Sequence, residues 1–237
     1  PGTITVVVNP TDGITAVTNT KSVDGGRARE TDEQFRDRYA VSVDFAGGVN
    51  IEAIIAEILQ TVEGVSAALG FENDTDEKNE LGLPPHSIEA IVYGGLDTDI
   101  AEAIFRRKAG GIQTYGNTSV PVISASEQSI DIYFSRPSPV PIWVRITNLV
   151  TTTAFPLDGQ QRIKQALINY IGGDVTGGLG IGASVIYMTL PTVIFSVEGV
   201  KDFDLEISKD GSRFGDENID VNTREKAVTD EGKVSVT

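Results

Sequence analysis

The pattern of apolar and polar positions along this chain changes between two periods, and its clearest part is a helical stripe. After Asn50, aliphatic residues recur at the spacing of one helix face. The positions are Ile51, Ile54, Ile55, Ile58, Leu59 and Val62. The Asn50 side chain can cap this helix, and Gly64 can end it with a residue in the left-handed conformation. We therefore predict a helix between Asn50 and Gly64 with one buried face.

Two further helices are predicted where apolar stripes begin beside polar residues and stop at a pair of glycines. The first would be capped by Asp97 or Thr98. The second would begin at Asp158, with Gln161 three residues later in the spacing of a capping box. Both stripes follow the i, i+3, i+4 spacing, so each helix is expected to bury one face.

Alternation with a period of two predicts strands between these helices. The strands fall at 65–71, 87–93, 120–124, 130–134, 142–146 and 203–207. The stretch 72–83 is predicted to be a long acidic loop. Pro137, Pro139 and Pro141 precede one of the strands, and prolines at such places indicate an edge strand or a connector between domains.

The segment 190–197 has the composition of a strand but the spacing of a helix. Leu190, Val193, Ile194 and Val197 lie at i, i+3, i+4 and i+7, and Pro191 suits the first position of a helix. The segment also ends in Val-Glu-Gly-Val, the same four residues that end the first predicted helix. We therefore predict a helix here.

The first residues predict a β segment followed by a helix. β-branched runs at 3–8 and 13–18 flank a Pro/Asp/Gly turn, which predicts a hairpin. In the stretch 25–38, Thr31 and Gln34 have the spacing of a capping box, so a helix is predicted from about Thr31. The chain begins at Pro1 without a basic and apolar leader, so we expect the hairpin to end a longer N-terminal region.

Together these elements predict an α+β fold of successive helix–strand modules with small, mostly antiparallel sheets. We predict three parts: a β segment at 1–24, a central helix–strand domain at 25–137 and a C-terminal helix–strand domain at 138–237. The boundary near 137–141 has an alternative at the threonine tract 151–153. Beyond 221 the chain is polar and acidic, which predicts a loose or partner-dependent tail.

Charge and composition exclude several classes of function. The chain has 19 Lys and Arg residues against 34 Asp and Glu residues, a net charge of −15. Such a surface repels phosphate backbones, so no nucleic-acid partner is expected. No apolar run reaches about 18 residues, so no membrane insertion is expected. Cysteine is absent and His86 is the one histidine, which leaves no ligand set for a thiolate or histidine zinc site.

No catalytic, cofactor-binding or metal-binding residue is predicted. The glycine-rich run 177–182 lacks the Lys-Ser/Thr of a phosphate loop and follows a helix, so a turn is the simpler interpretation. Carboxylates in the acidic loop have two- to three-residue spacings that a weak cation site could use, but they lack the glycine and final glutamate of an EF-hand. They are Asp74, Asp76, Glu77 and Glu80. Paired carboxylates for glycoside hydrolysis stay open, although aromatic residues are sparse.

Arginine clusters are the candidates for contacts with other subunits, because an arginine fork can bind a carboxylate of a neighbour. They are Arg27, Arg29, Arg36, Arg38, Arg106 and Arg107. Trp143, in a predicted strand, is a further candidate as a packed or interface residue. The alternative for the arginines is pairing with nearby acids such as Glu30, Asp32 and Asp37.

Short motifs follow one another over nearly the whole chain. The early ones are Val17-Thr18-Asn19, Gly25-Gly26, Glu30-Thr31-Asp32-Glu33 and Phe35-Arg36-Asp37-Arg38. After the isoleucine-rich helix come Gly64-Val65, Asn73, Pro85-His86-Ser87-Ile88, Ile91-Val92 and Gly94-Gly95. The later ones are Asp99-Ile100-Ala101, Ala103-Ile104, Lys108-Ala109-Gly110-Gly111-Ile112, Thr114-Tyr115-Gly116 and a C-terminal segment through Asn218-Ile219. In this order they resemble the baseplate J-like family of contractile-tail phages and related injection machines.

The resemblance implies a structural role without catalytic residues or a cofactor. The protein would be a baseplate wedge subunit in the virion tail, assembled in the bacterial host cytoplasm. It would associate with copies of itself and with other wedge and hub proteins in a ring. Modules joined at 137–141 could pivot and transmit the baseplate switch to sheath contraction. The alternative function is a surface-acting carbohydrate-binding or glycan-cleaving module.

Overall fold

The computed structural model describes residues 50–173 and 178–237, besides the isolated residues 5, 16–18 and 20. The two long ranges belong to one compact unit that extends over Phe45–Thr237. The predicted β segment at 1–24, with its hairpin, and the helix predicted from Thr31 lie outside these two ranges.

The described residues form an α+β fold with small, mostly antiparallel sheets, which confirms the predicted fold class. The helices are α1 (Ile51–Thr61), α2 (Asp97–Arg107), α3 (Gly159–Ile171) and α4 (Leu190–Phe195), the last preceded by a 3₁₀ turn at Tyr187–Thr189. The strands are β1 (Val65–Asn73), β2 (Ser87–Gly94), β3 (Gln113–Thr114), β4 (Thr118–Ile123), β5 (Ser129–Phe134), β6 (Ser138–Pro141), β7 (Trp143–Thr151), β8 (Val200–Ser208), β9 (Glu225–Val228) and β10 (Val234–Val236).

The N-terminal half of the described unit packs α1 and α2 against two antiparallel strand pairs. β1 pairs with β2, and β4 forms a hairpin with β5. The two-residue β3 adds in parallel to the start of β2. The core of this half includes Ile54, Ile58, Val92, Ile100, Ile104, Ile132 and Phe134.

The C-terminal half has its own hydrophobic core around a three-stranded sheet. β7 lies at the centre, with β8 antiparallel on one side and β10 parallel on the other. β6 and β9 form a separate parallel pair. The core includes Val144, Ile146, Ile163, Leu167, Leu190, Ile194, Leu205 and Ile207. The two cores fall on either side of 134–140, which is where the sequence predicts a domain boundary.

Helix α1 begins and packs as its sequence predicts. The Asn50 side chain accepts a hydrogen bond from the backbone N–H of Ala53 at 3.1 Å, which is the predicted cap. Ile54 and Ile58 are fully buried, and each side chain of this size stabilises the fold by roughly 1.5–3 kcal/mol. Leu59 is 38% exposed, so the buried stripe is narrower than predicted.

The repeated Val-Glu-Gly-Val sequence forms the same turn twice. Gly64 has a φ of 79° and Gly199 a φ of 83°, and a strand begins directly after each. A Cβ atom on Gly199 would lie 2.4 Å from the backbone nitrogen of Phe155, so both space and backbone conformation require glycine there. The helix predicted at 190–197 is confirmed as α4, with Pro191 in its first turn.

The predicted cap of α2 is wrong. The helix begins after Leu96, and no side chain caps it. Asp97 lies in the first turn and accepts a hydrogen bond from Arg136 at 3.1 Å, while Thr98 donates to Asp99. A long-range ion pair therefore replaces the local cap.

The predicted capping box of α3 is wrong for a similar reason. Asp158 stands at the N-cap but makes no capping hydrogen bond. Its carboxylate accepts from Arg162 at 2.9 Å, and the Gln161 amide donates to Glu231 at 2.6 Å. The charged and distant partners compete successfully with the backbone amides of the first turn.

The prediction of a loose acidic tail beyond 221 is also wrong. β9 pairs with β6, and β10 pairs with β7 at the edge of the central sheet. Ala227 is fully buried and Val234 is 2% exposed. The strands are only four and three residues long and their partners lie some 90 positions away, so no local period could reveal them.

The proline-rich stretch at 137–141 contains an edge strand, and backbone hydrogen bonds connect its start to both halves. It forms β6, as one of the two predicted alternatives requires. Before it, the Ser135 amide donates to the carbonyl of Ala90 at 2.8 Å. Within it, the Ser138 amide donates to the carbonyl of Arg224 at 3.0 Å.

An ion pair between a buried carboxylate and a partly exposed arginine joins the two halves beside this strand. Glu89 on β2 is 1% exposed, and its carboxylate accepts from Arg224, the residue before β9, at 2.6 Å. The hydroxyl of Ser135 donates to the same carboxylate at 2.6 Å. A second Arg224 bond reaches the carbonyl of Leu81 at 2.8 Å, in the predicted acidic loop. We call the set Glu89, Ser135 and Arg224 the seam.

The seam argues against the pivot that the sequence suggests at 137–141. Rotation there would separate Glu89 from Arg224 and break the pairing of β6 with β9. An unpaired carboxylate buried in this place would be strongly unfavourable. The sequence left two interpretations of the prolines, and the structure has the edge strand: Pro139 and Pro141 lie within β6.

Replacing Arg224 with Met should lower the free energy of unfolding by about 3 kcal/mol, since the buried Glu89 carboxylate would lose its counter-ion. Urea denaturation measures this change. The matched control is Arg162→Met, which removes an exposed pair with Asp158 and should cost no more than about 0.5 kcal/mol. Equal effects of the two substitutions would contradict a stabilising seam.

Candidate functional site

The most distinctive surface in the described part of the chain is a groove of about 740 Å³ along strand β8. One wall comes from the 3₁₀ turn and α4, and the other from β8 itself. The end of the groove is closed by the segment around Gly215. We call it the β8 groove.

The first wall is apolar and exposed. Met188 is 74% exposed and Phe195 is 51% exposed, which is unusual for side chains of this size. Helix α4 has six residues and buries Leu190 and Ile194, so its other face carries Phe195 outward. The ring of Phe195 lies 5.0 Å from that of Phe203 on β8, which continues the apolar surface across the floor.

The second wall is acidic because of the alternation along β8. Leu205 and Ile207 point into the core, so Asp204 and Glu206 point to the opposite face. Glu206 forms an ion pair with Arg145 at 2.7 Å. Among the described residues, the Asp204 carboxylate accepts from the neutral amide of Asn148, at 2.6 Å.

Asp202 adds a further carboxylate to this wall. It is exposed and lies two residues before Asp204, on the same face of β8. Within residues 50–173 and 178–237, neither Asp202 nor Asp204 has a basic side chain within 4.0 Å. The wall therefore keeps uncompensated negative charge.

The outer backbone edge of β8 faces the groove. Ile207 exchanges two hydrogen bonds with Gly215, at 2.8 and 3.0 Å, on the side away from β7. After Gly215 the chain leaves this edge, because Ile219 pairs with Val185. Leu205 presents its backbone to the same side as Ile207, since alternate residues of a strand do so. Its carbonyl accepts from the hydroxyl of Tyr187 at 2.7 Å.

Tyr187 reports the electrostatics of the groove. Its pKa is raised above the ordinary value, first by burial and then by the negative charges of Asp216, Glu206 and Asp204. Three carboxylates thus act on one phenol. The groove would favour a positively charged occupant and disfavour a negatively charged one.

Two of the sequence-predicted arginines lie on α2 and contact one acid of α1. Arg107 binds Glu57 at 2.9 Å and Arg106 binds it at 3.3 Å. The partner is an acid within the same chain, but it lies 49 and 50 positions before the two arginines and is not one of the nearby acids considered in the sequence analysis. Both arginines are more than a third exposed, so their predicted role in subunit contacts stays a prediction. The other four candidates, Arg27, Arg29, Arg36 and Arg38, lie outside the described residues.

Trp143 lies in β7, on the sheet face opposite to the core. A turn covers its ring, because a Cβ atom added to Gly211 would lie 2.9 Å from the indole. The ammonium of Lys233 lies 5.8 Å from the ring. Trp143 is thus half-buried by its own chain, and a contact with another subunit stays a prediction.

A buried side-chain amide organises the acidic loop. Asn73 is 3% exposed, and its side-chain amide donates to the carbonyls of Glu77, Leu83 and Pro84 at 2.8–3.0 Å. His86 contacts Asp76 at the surface, at 2.9 Å. Within 50–173 and 178–237, no group of three or more His, Cys, Asp or Glu side chains could hold a metal ion.

The glycine-rich run predicted at 177–182 is described from Gly178 onward. The Gly182 amide donates to the carbonyl of Glu225 at 2.8 Å, and the ammonium of Lys226 donates to the carbonyl of Leu179 at 2.8 Å. This part of the run is therefore a turn that packs against β9. In the same described ranges, no helix is long and apolar enough to cross a membrane.

Sequence reasoning missed the β8 groove, although part of its signal is visible. The run Asp202-Phe203-Asp204-Leu205-Glu206 alternates acidic and apolar residues. This alternation reveals one wall. The opposite wall is contributed by a helix that precedes β8, and only the folded chain shows that its exposed residues lie beside the acids.

Comparison of the chain with models of known protein families finds no match, and a search of curated proteins finds none either. The similarity to baseplate J-like proteins therefore rests on the order of the sequence motifs.

Asp216→Asn should lower the pKa of Tyr187 toward its ordinary value of 10.0, because a negative neighbour that disfavours the phenolate is removed. The stability that the raised pKa provides is complete below pH 10.0 and is lost as the pH rises through the folded-state value. Absorbance titration of tyrosinate, with Tyr187→Phe subtracted, measures the shift. Asp131→Asn, on the distant β5, is the control; an unchanged Tyr187 titration in Asp216→Asn would contradict this electrostatic account.

Proposed function

We propose that this protein is a structural subunit of a contractile-tail baseplate, a wedge or ring component that works through protein–protein contacts. The observation that carries the proposal is the β8 groove. Exposed apolar side chains lie there beside an open strand edge, and such surfaces mark sites of association. The baseplate itself comes from the motif resemblance.

The motifs that carry the resemblance support a framework role where they are described. Gly64 makes the turn between α1 and β1. Asn73 holds the acidic loop through its side-chain amide. Lys108 ends α2 and donates to the carbonyl of Ile112 at 3.1 Å. Each of these residues fixes the course of the backbone, which is a structural role.

The seam changes how such a subunit would work. With Glu89 bound to Arg224, the two halves on either side of 137–141 are fastened together. We therefore propose that this part of the subunit moves as one body and that the baseplate switch changes contacts between subunits. The subunit would associate with copies of itself and with other wedge and hub proteins, in the tail baseplate of a virion assembled in the host cytoplasm.

Co-expression with the proteins encoded beside it tests the proposal. We expect a complex with tail sheath, tube, hub or wedge proteins, of a mass well above that of the single chain by light scattering. A monomer that binds none of these proteins would contradict the proposal. Binding or cleavage of glycans by that monomer would favour the carbohydrate-directed alternative.

A further inference from the structure

We propose that the β8 groove binds an extended segment of a partner protein in which basic and apolar residues alternate, and that this segment adds a strand to the open edge of β8. The inference rests on the proposed assembly function and names the chemistry of the partner. Three features of the groove lead to it: its backbone edge, the alternation of its side chains and its charge.

The backbone edge defines the shape of the occupant. Gly215 already pairs with Ile207 on the outer edge of β8, so this edge accepts a strand. The chain then leaves this edge. Leu205 lines the groove, although only 7% of the residue is exposed, and the alternation along β8 directs its amide away from β7. The Leu205 carbonyl binds the Tyr187 hydroxyl but has a second lone pair. An extended segment would continue the ladder that Gly215 begins, as in other cases of strand addition.

The side chains of β8 define the pattern of the occupant. Leu205 and Phe203 face the side of α4, where Phe195 and Met188 are exposed. Asp202 and Asp204 face the opposite side. A strand lying beside β8 has the same period of two, so its alternate side chains would meet the apolar wall and the acidic wall in turn. The matching sequence is therefore an alternation of aliphatic residues with Lys or Arg.

The charge of the groove selects a different protein in preference to a second copy of this chain. Asp202, Asp204 and Asp216 line the groove. The charges of Asp216, Glu206 and Asp204, after burial, raise the pKa of Tyr187. A second copy also has a net charge of −15, so the long-range interaction between copies is repulsive. A basic segment of another protein is attracted and is also oriented by the two walls.

The probe is a fluorescent synthetic peptide of alternating Lys and Val. A length of about six residues spans about 20 Å as a strand, enough to lie along most of β8. We expect saturable binding to the full chain by fluorescence anisotropy, weakened by salt. Two peptides are controls: one has the same six residues in two blocks, and one is N-methylated on alternate amides. Both should bind at least about tenfold more weakly, because they lose the alternation or the backbone hydrogen bonds.

Two exposed carboxylates are then neutralised. The double variant Asp202→Asn/Asp204→Asn should weaken peptide binding by about three- to tenfold. The matched control is Glu72→Gln/Asp131→Asn, which removes the same charge from exposed strand positions outside the groove and should leave binding unchanged. Met188→Ser should also weaken binding, since it removes exposed apolar surface from the other wall.

Hydrogen exchange gives the readout that pure charge attraction would not produce. Peptide binding should slow exchange of the Leu205 amide. The proposal is overturned if the blocked or N-methylated peptide binds equally well, if the control double variant weakens binding as much, or if Leu205 exchange is unchanged. It is likewise overturned if the groove variants alter self-association and not peptide binding.

The outcomes also separate this inference from the proposed function. Peptide binding of the expected kind by a chain that never joins tail proteins would remove the baseplate function and retain the groove. Assembly into a tail complex that is unaffected by Asp202→Asn/Asp204→Asn, together with no peptide binding, would remove the groove and retain the baseplate function.

Discussion

The ion pair between Glu89 and Arg224 is the contact on which the arrangement of the described unit depends. It joins β2 of the first half to the residue before β9 of the second, across 135 positions of sequence. Because Glu89 is 1% exposed, its charge is compatible with the fold only while Arg224 and Ser135 bind it. The pair also fixes the start of β9, and β9 in turn covers β6. The pair therefore links the two small cores within one compact unit.

Local chemistry explains which parts of the fold could be predicted from the sequence. Three correct predictions depend on residues within one or two turns of each other: the Asn50 cap, the left-handed turns at Gly64 and Gly199, and helix α4 with Pro191 in its first turn. Asp158 failed as a predicted cap because Arg162 binds its carboxylate. The last strands failed because their pairing partners are distant and their apolar runs are short. Prediction from spacing therefore succeeds where no charged or distant side chain competes for the same group.

In the candidate site, too, local features could be predicted from the sequence and long-range ones could not. The alternation of acidic and apolar residues along β8 can be read from the sequence, and so can the negative charge of the chain. The groove itself cannot, because its walls come from two elements and its open edge depends on where Gly215 leaves β8. The arginines on α2 could be found in the sequence, but their partner could not. Arg106 and Arg107 contact Glu57, which lies about 50 positions earlier in the chain. The sequence thus identifies candidate side chains, and the fold determines which partners they contact.

We propose that this acidic chain offers the edge of β8 to a basic strand of a neighbouring protein. Electron cryo-microscopy of particles assembled with the proteins encoded beside this chain tests this claim most directly. The account predicts density for an extended segment of another protein along 200–206, with basic side chains near Asp202 and Asp204. A β8 groove that is empty and open to solvent in the assembled particle would contradict it.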